Sequence, residues 1–256
     1  MEILSTAKNK PPRLLIHGSH FSGKSSIGAS AYSTLFMNIE QGLNEIEAQA
    51  MPTPATTSEI INQLRWFYKG EHDFKTLVVD SLDWMEAVIN STVLEENNLK
   101  TLVDKFAKGH KLAFQEFIKI KDALEAIHRD KNACIIVLCH SVVKEFKDPA
   151  GENYDRYGLK LRDAVSELFC EWADMVGFLH PEVEVDKESK KEGGFGKKNK
   201  AITSGRRLLS VNQNPAYRAG NRYGINKDIV IQGPSTGWSD IWAAIQEAKT
   251  QKGVII

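Results

Sequence analysis

The amino-acid sequence predicts an α/β fold in which a mostly parallel β-sheet is flanked by helices and extended by a C-terminal antiparallel β-hairpin. Apolar, β-rich runs alternate with helical patterns over the first two thirds of the chain, as in βα units around a buried parallel sheet. A glycine-rich motif directly follows the first of these runs. After Leu179, a lysine- and glycine-rich segment precedes two short β-rich runs, which predict the hairpin.

Each β-rich run is short enough to be a single strand. The predicted strands are Arg13–His17, Thr34–Ile39, Lys75–Asp80, Ala133–Cys139 and Asp174–Leu179 in the sheet, then Arg207–Val211 and Asp228–Ile231 in the hairpin. The clearest helix lies within Phe106–Arg129, where apolar residues recur at three- and four-residue steps. Its predicted apolar stripe comprises Phe106, Ala113, Phe114, Phe117, Ile120, Leu124 and Ile127. A last helix, Trp238–Lys249, has Ser239 as its predicted cap.

The composition indicates a globular chain with its own core. The chain has 256 residues, of which 42% are hydrophobic, and shows neither internal repeats nor a long linker. We therefore predict one domain over residues 1–256, with a core at 13–180 and the hairpin and last helix at 181–250. The 33 basic residues balance 33 acidic ones, which argues against a protein that coats nucleic acid through global basicity. Any site for a polyanion must be local.

Cysteine usage and hydropathy predict a cytoplasmic protein without membrane contact. Cys134, Cys139 and Cys170 are odd in number and have no CxxC spacing, which favours buried thiols in a reducing compartment. The N-terminal residues lack the apolar region of a signal peptide. No apolar stretch reaches the roughly 20 residues that a membrane span requires.

The strongest chemical signal is the phosphate-loop motif G-x-x-x-x-G-K-[ST], which spans Gly18–Ser25 directly after the first strand. The backbone N–H groups of such a loop point at phosphate oxygens, and the next helix presents the positive end of its dipole to them. Lys24 is expected to contact the β- and γ-phosphates of ATP, and Ser25 to ligate Mg²⁺. The alternative is an ordinary glycine-rich turn. The candidate nucleotide-binding residues are Gly18, Ser19, His20, Phe21, Ser22, Gly23, Lys24, Ser25 and Ser26.

Two acidic residues stand at predicted strand ends, where α/β sheets bind their ligands. Asp80 ends an apolar run and is the candidate second ligand of Mg²⁺, although an Asp there can also cap a helix. Glu40 follows the strand after the phosphate-loop helix and is the candidate base that orients the attacking water. Its alternative role is that of a solvated residue at a helix start.

Taken together, these residues resemble the RecA-like recombination ATPases, and among them the short phage single-strand annealing proteins that contain little beyond the ATPase core. The phosphate loop and Val79-Asp80-Ser81 are shared with many ATPases, and Phe36-Met37-Asn38-Ile39-Glu40 is similar to the strand whose final Glu activates water. Ile136-Val137-Leu138-Cys139-His140 is similar to the strand that ends in a sensor of the γ-phosphate. The resemblance assigns that role to His140, where the cellular recombinases have Gln; the alternative is a His that caps the strand.

The resemblance also implies that subunits complete one another's sites. The segment Tyr217–Gly224 is similar to a family hairpin whose two basic residues reach the neighbouring subunit's nucleotide. Here Arg222 keeps one of the two positions, Gly220 replaces the other, and Arg218 is the candidate substitute. About a dozen residues precede the first strand, so no separate polymerisation domain is expected. The expected assembly is a homo-oligomer, a ring or a filament, formed through the core.

RecA-like proteins hold single-stranded DNA on two loops. Here the second is predicted at Ser141–Gly158, where cations alternate with aromatic rings as in sequence-tolerant single-strand grooves. Its candidate DNA-binding residues are Lys144, Phe146, Lys147, Tyr154, Arg156 and Tyr157. Because acidic residues are interspersed, a simple solvated loop is the alternative. The first loop is predicted near Leu99–Lys111, whose lysines equally fit the polar face of a helix.

A basic run is a further candidate for phosphate contacts, or an ordinary solvated surface. It comprises Lys187, Lys190, Lys191, Lys197, Lys198 and Lys200.

The predicted function is therefore a Mg²⁺-dependent ATPase, stimulated by DNA, that binds single-stranded DNA and promotes strand annealing or pairing in phage homologous recombination in the bacterial host cytoplasm. A single-strand-binding protein is a possible partner. Two alternatives stay open: a nucleotide-gated adaptor that loads another replication or recombination protein, and a P-loop phosphotransferase. The phosphotransferase would need a lid with paired arginines, and Arg206-Arg207 is the one adjacent Arg pair in the sequence.

Overall fold

A computed structural model describes residues 10–186 and 200–251, and within them it contains ten strands and six helices. The strands are β1 (Arg13–Gly18), β2 (Thr34–Asn38), β3 (Gln49–Met51), β4 (Thr76–Asp80), β5 (Cys134–Phe146), β6 (Tyr154–Leu159), β7 (Met175–Asp186), β8 (Lys200–Ser210), β9 (Gly220–Asn221) and β10 (Ile229–Ile231). The helices are α1 (Lys24–Ala29), α2 (Thr57–Lys69), α3 (Leu82–Glu96), α4 (Asp104–Lys131), α5 (Asp163–Trp172) and α6 (Gly237–Gln251).

The strand order of the sheet is β10-β8-β7-β1-β5-β4-β2-β3. From β7 to β3 neighbouring strands are parallel, whereas β8, β9 and β10 add antiparallel pairings at the C-terminal side. The predicted fold class, a mostly parallel sheet flanked by helices with a C-terminal antiparallel extension, is confirmed. Because β1, β5 and β4 are parallel neighbours, the carboxyl ends of β1 and β4 lie at one edge of the sheet, on either side of β5.

Helices cover both faces of the sheet, so its central strands are buried on both sides. Along β1, Leu15 faces a core shared with α2, α3, α4 and α5, while Leu14 and Ile16 face a second core that includes residues of α1 and α6. The predicted stripe of α4 is buried from Ala113 to Ile127, except that Phe114 is only partly buried against the same core. This two-sided burial fixes the strand ends on which the candidate site is built.

Two local predictions are wrong, and a third segment is decided between its two interpretations. Phe106 does not belong to the apolar stripe: it is 98% exposed, and its φ of 60° interrupts regular helical geometry before the stripe begins. Ser239 is not the cap of the last helix, since α6 begins at Gly237 and the Ser239 hydroxyl donates to the Thr236 carbonyl inside the first turn. Of the two interpretations of Leu99–Lys111, the helix is confirmed from Asp104 onward, where α4 begins, and the loop is excluded for those residues.

The predicted loop at Ser141–Gly158 is also wrong, because most of this segment forms a β-hairpin. Strand β5 continues past the sheet to Phe146 and pairs with β6 in antiparallel register, with Lys144 opposite Arg156 and Phe146 opposite Tyr154. We call residues 141–159 the β5–β6 hairpin. Within the described residues no helix is both long and apolar enough to cross a membrane.

Candidate functional site

The phosphate loop connects the end of β1 to the first residue of α1, as the motif predicts. Gly18 leaves no room for a side chain, because a Cβ there would stand 2.4 Å from the Leu179 carbonyl oxygen. Gly23 precedes α1 with a φ of 96°, in the left-handed region that glycine adopts at little cost. These two glycines let the backbone curl between strand and helix.

Lys24 is buried inside this loop. Its Nζ donates to the Gly18 carbonyl at 3.2 Å and to the Ser19 carbonyl at 2.9 Å. Burial lowers the pKa of Lys24, and the nearby carboxylates of Glu40 and Asp80 oppose this effect. The ammonium therefore lies where a bound phosphate chain would supply stronger acceptors than the two carbonyls.

Ser25 and Asp80 form an oxygen pair between α1 and β4. The Ser25 hydroxyl donates to Asp80 Oδ2 at 2.7 Å, and Asp80 is only 2% exposed. Burial raises the pKa of Asp80 to about 6, and the Glu40 carboxylate adds to that rise while the Ser25 hydrogen bond counteracts it. A hydroxyl and a carboxylate oxygen this close fit Mg²⁺, which takes few protein ligands and completes its shell with phosphates and water.

Replacing Asp80 with Asn should stabilise the nucleotide-free protein although it removes the proposed metal ligand. The pKa of Asp80 rises from 3.8 to about 6 on folding. As pH increases through this range, the carboxyl must ionise while buried, and the folded state therefore loses stability. We expect Asp80→Asn to raise the free energy of unfolding by about 1–3 kcal/mol at pH 8. Urea unfolding without Mg²⁺ measures this, and the gain should be smaller at pH 5. Equal stability at pH 8 would contradict the argument.

Glu40 lies two residues beyond β2 and faces the same cleft. The backbone N–H groups of Ile39 and Glu40 donate to the Asp80 carbonyl at 2.7 and 3.0 Å, which holds this segment against the end of β4. The Ser81 hydroxyl lies 3.1 Å from Glu40 Oε2 and 2.9 Å from Asp83 Oδ1, so its one proton is shared between the two carboxylates. Glu40 Oε1 lies 3.4 Å from His140 Nε2, and these contacts hold the Glu40 carboxylate in the cleft.

His140, in the middle of β5, is buried and held by Asp83. Its ring Nδ1 lies 3.0 Å from Asp83 Oδ2, and its backbone N–H donates to Asp83 Oδ1 at 3.1 Å. Burial alone would raise the pKa of Asp83, but these bonds and one from Ser81 outweigh it and lower the value to about 2. Asp83 is therefore a carboxylate that accepts from Nδ1, and it leaves Nε2 of His140 directed at Glu40.

Two further residues that the sequence did not assign to this cleft line it or support it. Asp83 stands in the first turn of α3, three residues after Asp80, and only its position near a strand end could have indicated it. Arg207 of β8 packs against the phosphate loop: a Cβ on Gly23 would lie 3.0 Å from Arg207 Nη1. The sequence indicates Arg207 only as part of the adjacent arginine pair considered for a phosphotransferase lid, and antiparallel pairing of β8 with β7 brings it to the phosphate loop.

The cleft has a volume of about 350 Å³. It is lined by His20, Phe21, Gly23, Lys24, Ser25, Ser26, Glu40, Gly42, Ile46, His140 and Arg207. The structure thus brings together most of the predicted nucleotide-site residues. Phe21 lies at the rim with its side chain fully exposed, and Ser22 is buried within the loop.

Arg218 and Arg222 do not lie at this cleft. Arg218 forms a bidentate ion pair with Glu167, and Arg222 Nη1 lies 3.7 Å from Asp174 Oδ1. Both line a separate cavity of about 700 Å³ between α5, β7 and the segment 213–222. Their predicted role at a neighbouring subunit's nucleotide stays a prediction.

The candidate DNA-binding residues divide between the two faces of the β5–β6 hairpin. Lys144, Phe146, Tyr154 and Arg156 share one face, with the Arg156 guanidinium 4.0 Å from the centre of the Phe146 ring. The Lys144 side chain is held at the base of this face, because its Nζ donates to Asp163 Oδ1 at 2.8 Å and to the Leu161 carbonyl.

Tyr157 lies on the opposite face, where its ring stacks on Phe178 at a centroid distance of 5.1 Å. Lys147 is exposed just past the end of β5. Of the lysine run at 187–200, residues 187–199 lie outside the described part of the chain, and Lys200 begins β8.

The sheet and its first loop together define a class of protein. A phosphate loop after one parallel strand, with a carboxylate at the end of a second strand on the same edge, is the arrangement of the P-loop ATPases. A family model described as "AAA domain" matches residues 10–223, more than half of the chain, and the protein belongs to this family. The class prediction is thereby confirmed, and membership implies a nucleotide and Mg²⁺ as ligands.

No curated protein matches the sequence. Among solved structures, the RadB recombinase is similar with 16% identity and a TM-score of 0.41, over 69% of this chain and 80% of that chain. The flagellar accessory protein FlaH from Methanocaldococcus jannaschii is similar with 14% identity and a TM-score of 0.36, over 86% of this chain and 84% of that chain.

Proposed function

We propose that this chain is a Mg²⁺-dependent ATPase that binds single-stranded DNA and promotes strand annealing or pairing in phage homologous recombination, acting as a homo-oligomer in the host cytoplasm. The observation that carries the ATPase part is the convergence of Lys24, the Ser25–Asp80 pair and the Glu40–His140 pair on one cleft, at the carboxyl ends of β1, β2 and β4 and beside the middle of β5.

Each residue of this cleft has its own role in the proposed hydrolysis. Lys24 leaves the Gly18 and Ser19 carbonyls and donates to the phosphates, while Ser25 and Asp80 hold Mg²⁺, which neutralises phosphate charge when bound. Glu40 accepts a proton from the attacking water as the new oxygen–phosphorus bond forms and the bond to the ADP oxygen breaks. Arg207 adds a cation beside the loop, where negative charge develops.

Two features of the structure support coupling of this cleft to the β5–β6 hairpin: the continuity of β5 and the contacts of His17. His140 belongs to the same strand as Phe146, so a shift at its ring is passed along β5 into the hairpin. His17, directly before Gly18, is buried, with Nδ1 2.8 Å from the Ser141 hydroxyl and Nε2 2.6 Å from the Arg218 carbonyl. The phosphate-loop strand is thereby joined to both the hairpin base and the segment that carries Arg218.

The aromatic face of the hairpin should contribute to DNA affinity. We expect Phe146→Ala to weaken binding of a single-stranded oligonucleotide by about 5- to 100-fold, because one stacked base contributes roughly 1–3 kcal/mol. Fluorescence anisotropy measures this affinity. Tyr32→Ala is the matched control, since Tyr32 is an exposed aromatic side chain in the turn before β2, away from the hairpin. Equal losses in both variants would remove the hairpin from the DNA site.

ATP turnover with and without single-stranded DNA tests the proposed function as a whole. The proposal predicts that DNA raises the rate. A phosphotransferase would ignore the oligonucleotide, and a nucleotide-gated adaptor would respond only to its protein partner. Either result would replace the recombination assignment while keeping the P-loop ATPase class.

A further inference from the structure

The phosphate loop contributes a histidine side chain that the hydrolysis scheme does not use. His20 stands at the cleft with its ring 4.1 Å, centre to centre, from that of His140, and the two planes differ by 32°. Together with Glu40 they form a group whose potential ligand atoms all lie within 4.8 Å of one another. Among residues 10–186 and 200–251 this is the one such cluster of His, Cys, Asp and Glu.

The contact between His140 and Glu40 has the geometry of two ligands on one ion. Nδ1 of His140 donates to the Asp83 carboxylate, so Nε2 of the same ring is directed at the Glu40 carboxylate, 3.4 Å away. An ion between these two atoms would contact both. Ligand atoms about 2.1 Å from a tetrahedral ion stand roughly 3.4 Å apart.

The supporting residues are those expected around a metal-bound histidine. A ligating His usually donates its second ring N–H to a carboxylate, which fixes the tautomer and orients the ring. Asp83 makes this contact to His140 and is itself held by the Ser81 hydroxyl at 2.9 Å. His20 is exposed on the loop, so its ring can rotate toward the other two ligands.

We propose that His20, Glu40 and His140 bind a divalent transition metal ion of the zinc class, at a site distinct from that of Mg²⁺. Two imidazoles and one carboxylate suit zinc, whereas Mg²⁺ prefers oxygen ligands alone. The site engages Glu40 and lies beside the phosphate loop. Under the proposed function, its occupation therefore blocks hydrolysis, and micromolar zinc acts as a reversible inhibitor that excess Mg²⁺ does not relieve.

Titration of the untagged, nucleotide-free chain with Co²⁺ tests the site directly, because cobalt in a tetrahedral site with nitrogen ligands absorbs strongly in the visible range. We expect saturable absorption at one cobalt per chain and displacement by Zn²⁺. His20→Ala should weaken this binding at least 10-fold, and Asp83→Asn by about 10- to 100-fold. His110→Ala, a change in α4 outside the cluster, is the control and should bind as the wild type does.

Equal Co²⁺ binding by the wild type and His20→Ala, or no saturable absorption in the wild type, would overturn the proposal. Since His20 is exposed on a loop, its replacement should leave folding intact, and thermal unfolding verifies this. Lys24→Ala separates this proposal from the ATPase proposal. That variant should lose ATP binding yet keep the cobalt site. The metal-site proposal and the ATPase proposal can therefore fail independently of each other.

Discussion

Lys24→Ala should reduce ATP affinity by roughly 100-fold or more and bring turnover below detection. Among the described residues the buried ammonium donates to two carbonyls, and it is placed to exchange them for charged phosphate oxygens. Removing one partner from a buried charged contact costs about 2–5 kcal/mol, which gives a loss of this size. Isothermal titration with ATP and Mg²⁺ measures it.

Lys69→Ala serves as the control, since Lys69 is exposed at the end of α2, away from the cleft. If Lys24→Ala bound ATP with wild-type affinity, the cleft would not be the nucleotide site. Nucleotide-dependent changes in DNA affinity should disappear in the same variant. Their persistence would show that they arise elsewhere in the protein.

Glu40→Gln should separate hydrolysis from binding. The amide keeps the size of the side chain and can still accept from Ser81, but it cannot take a proton from water. We expect turnover to fall by about 10²- to 10⁴-fold, the usual contribution of a general base, while ATP affinity stays within a few-fold of wild type. Single-turnover hydrolysis and equilibrium binding, measured on the same preparation, give both values.

Glu45→Gln is the matched control, because Glu45 is an exposed glutamate in the loop that follows Glu40. Unchanged turnover in Glu40→Gln would remove Glu40 from the mechanism. In that case the Asp83–His140 pair would be the remaining polar network near the phosphates.

Much of the cleft could be predicted from the sequence because its parts sit at the ends of local patterns. A motif marks Lys24 and Ser25, and Asp80, Glu40 and His140 lie at or near the ends of short apolar runs. In a parallel sheet those ends meet at one edge, so proximity follows from strand order alone. The structure places all five residues around that edge.

The residues that were missed depend on contacts that local patterns do not encode. Arg207 reaches the phosphate loop through the pairing of β8 with β7, a long-range register. Asp83 is one of several polar residues near a helix start. Its role at the cleft follows only from its contact with His140 in the folded protein. The β5–β6 hairpin did have a local signal, since Pro149 and Gly151 lie between its two strands. The alternating cations and rings of the segment favour a loop instead, and the pairing of β5 with β6 contradicts that interpretation.

The most direct test of the account is the affinity for a single-stranded oligonucleotide, titrated against salt with a slowly hydrolysed ATP analogue, with ADP and without nucleotide. If the Glu40–His140 pair senses the γ-phosphate and β5 carries the change into the hairpin, the triphosphate state should bind most tightly at every salt concentration. Identical binding curves in the three states would contradict the coupling and leave a P-loop ATPase with no link between its nucleotide and DNA.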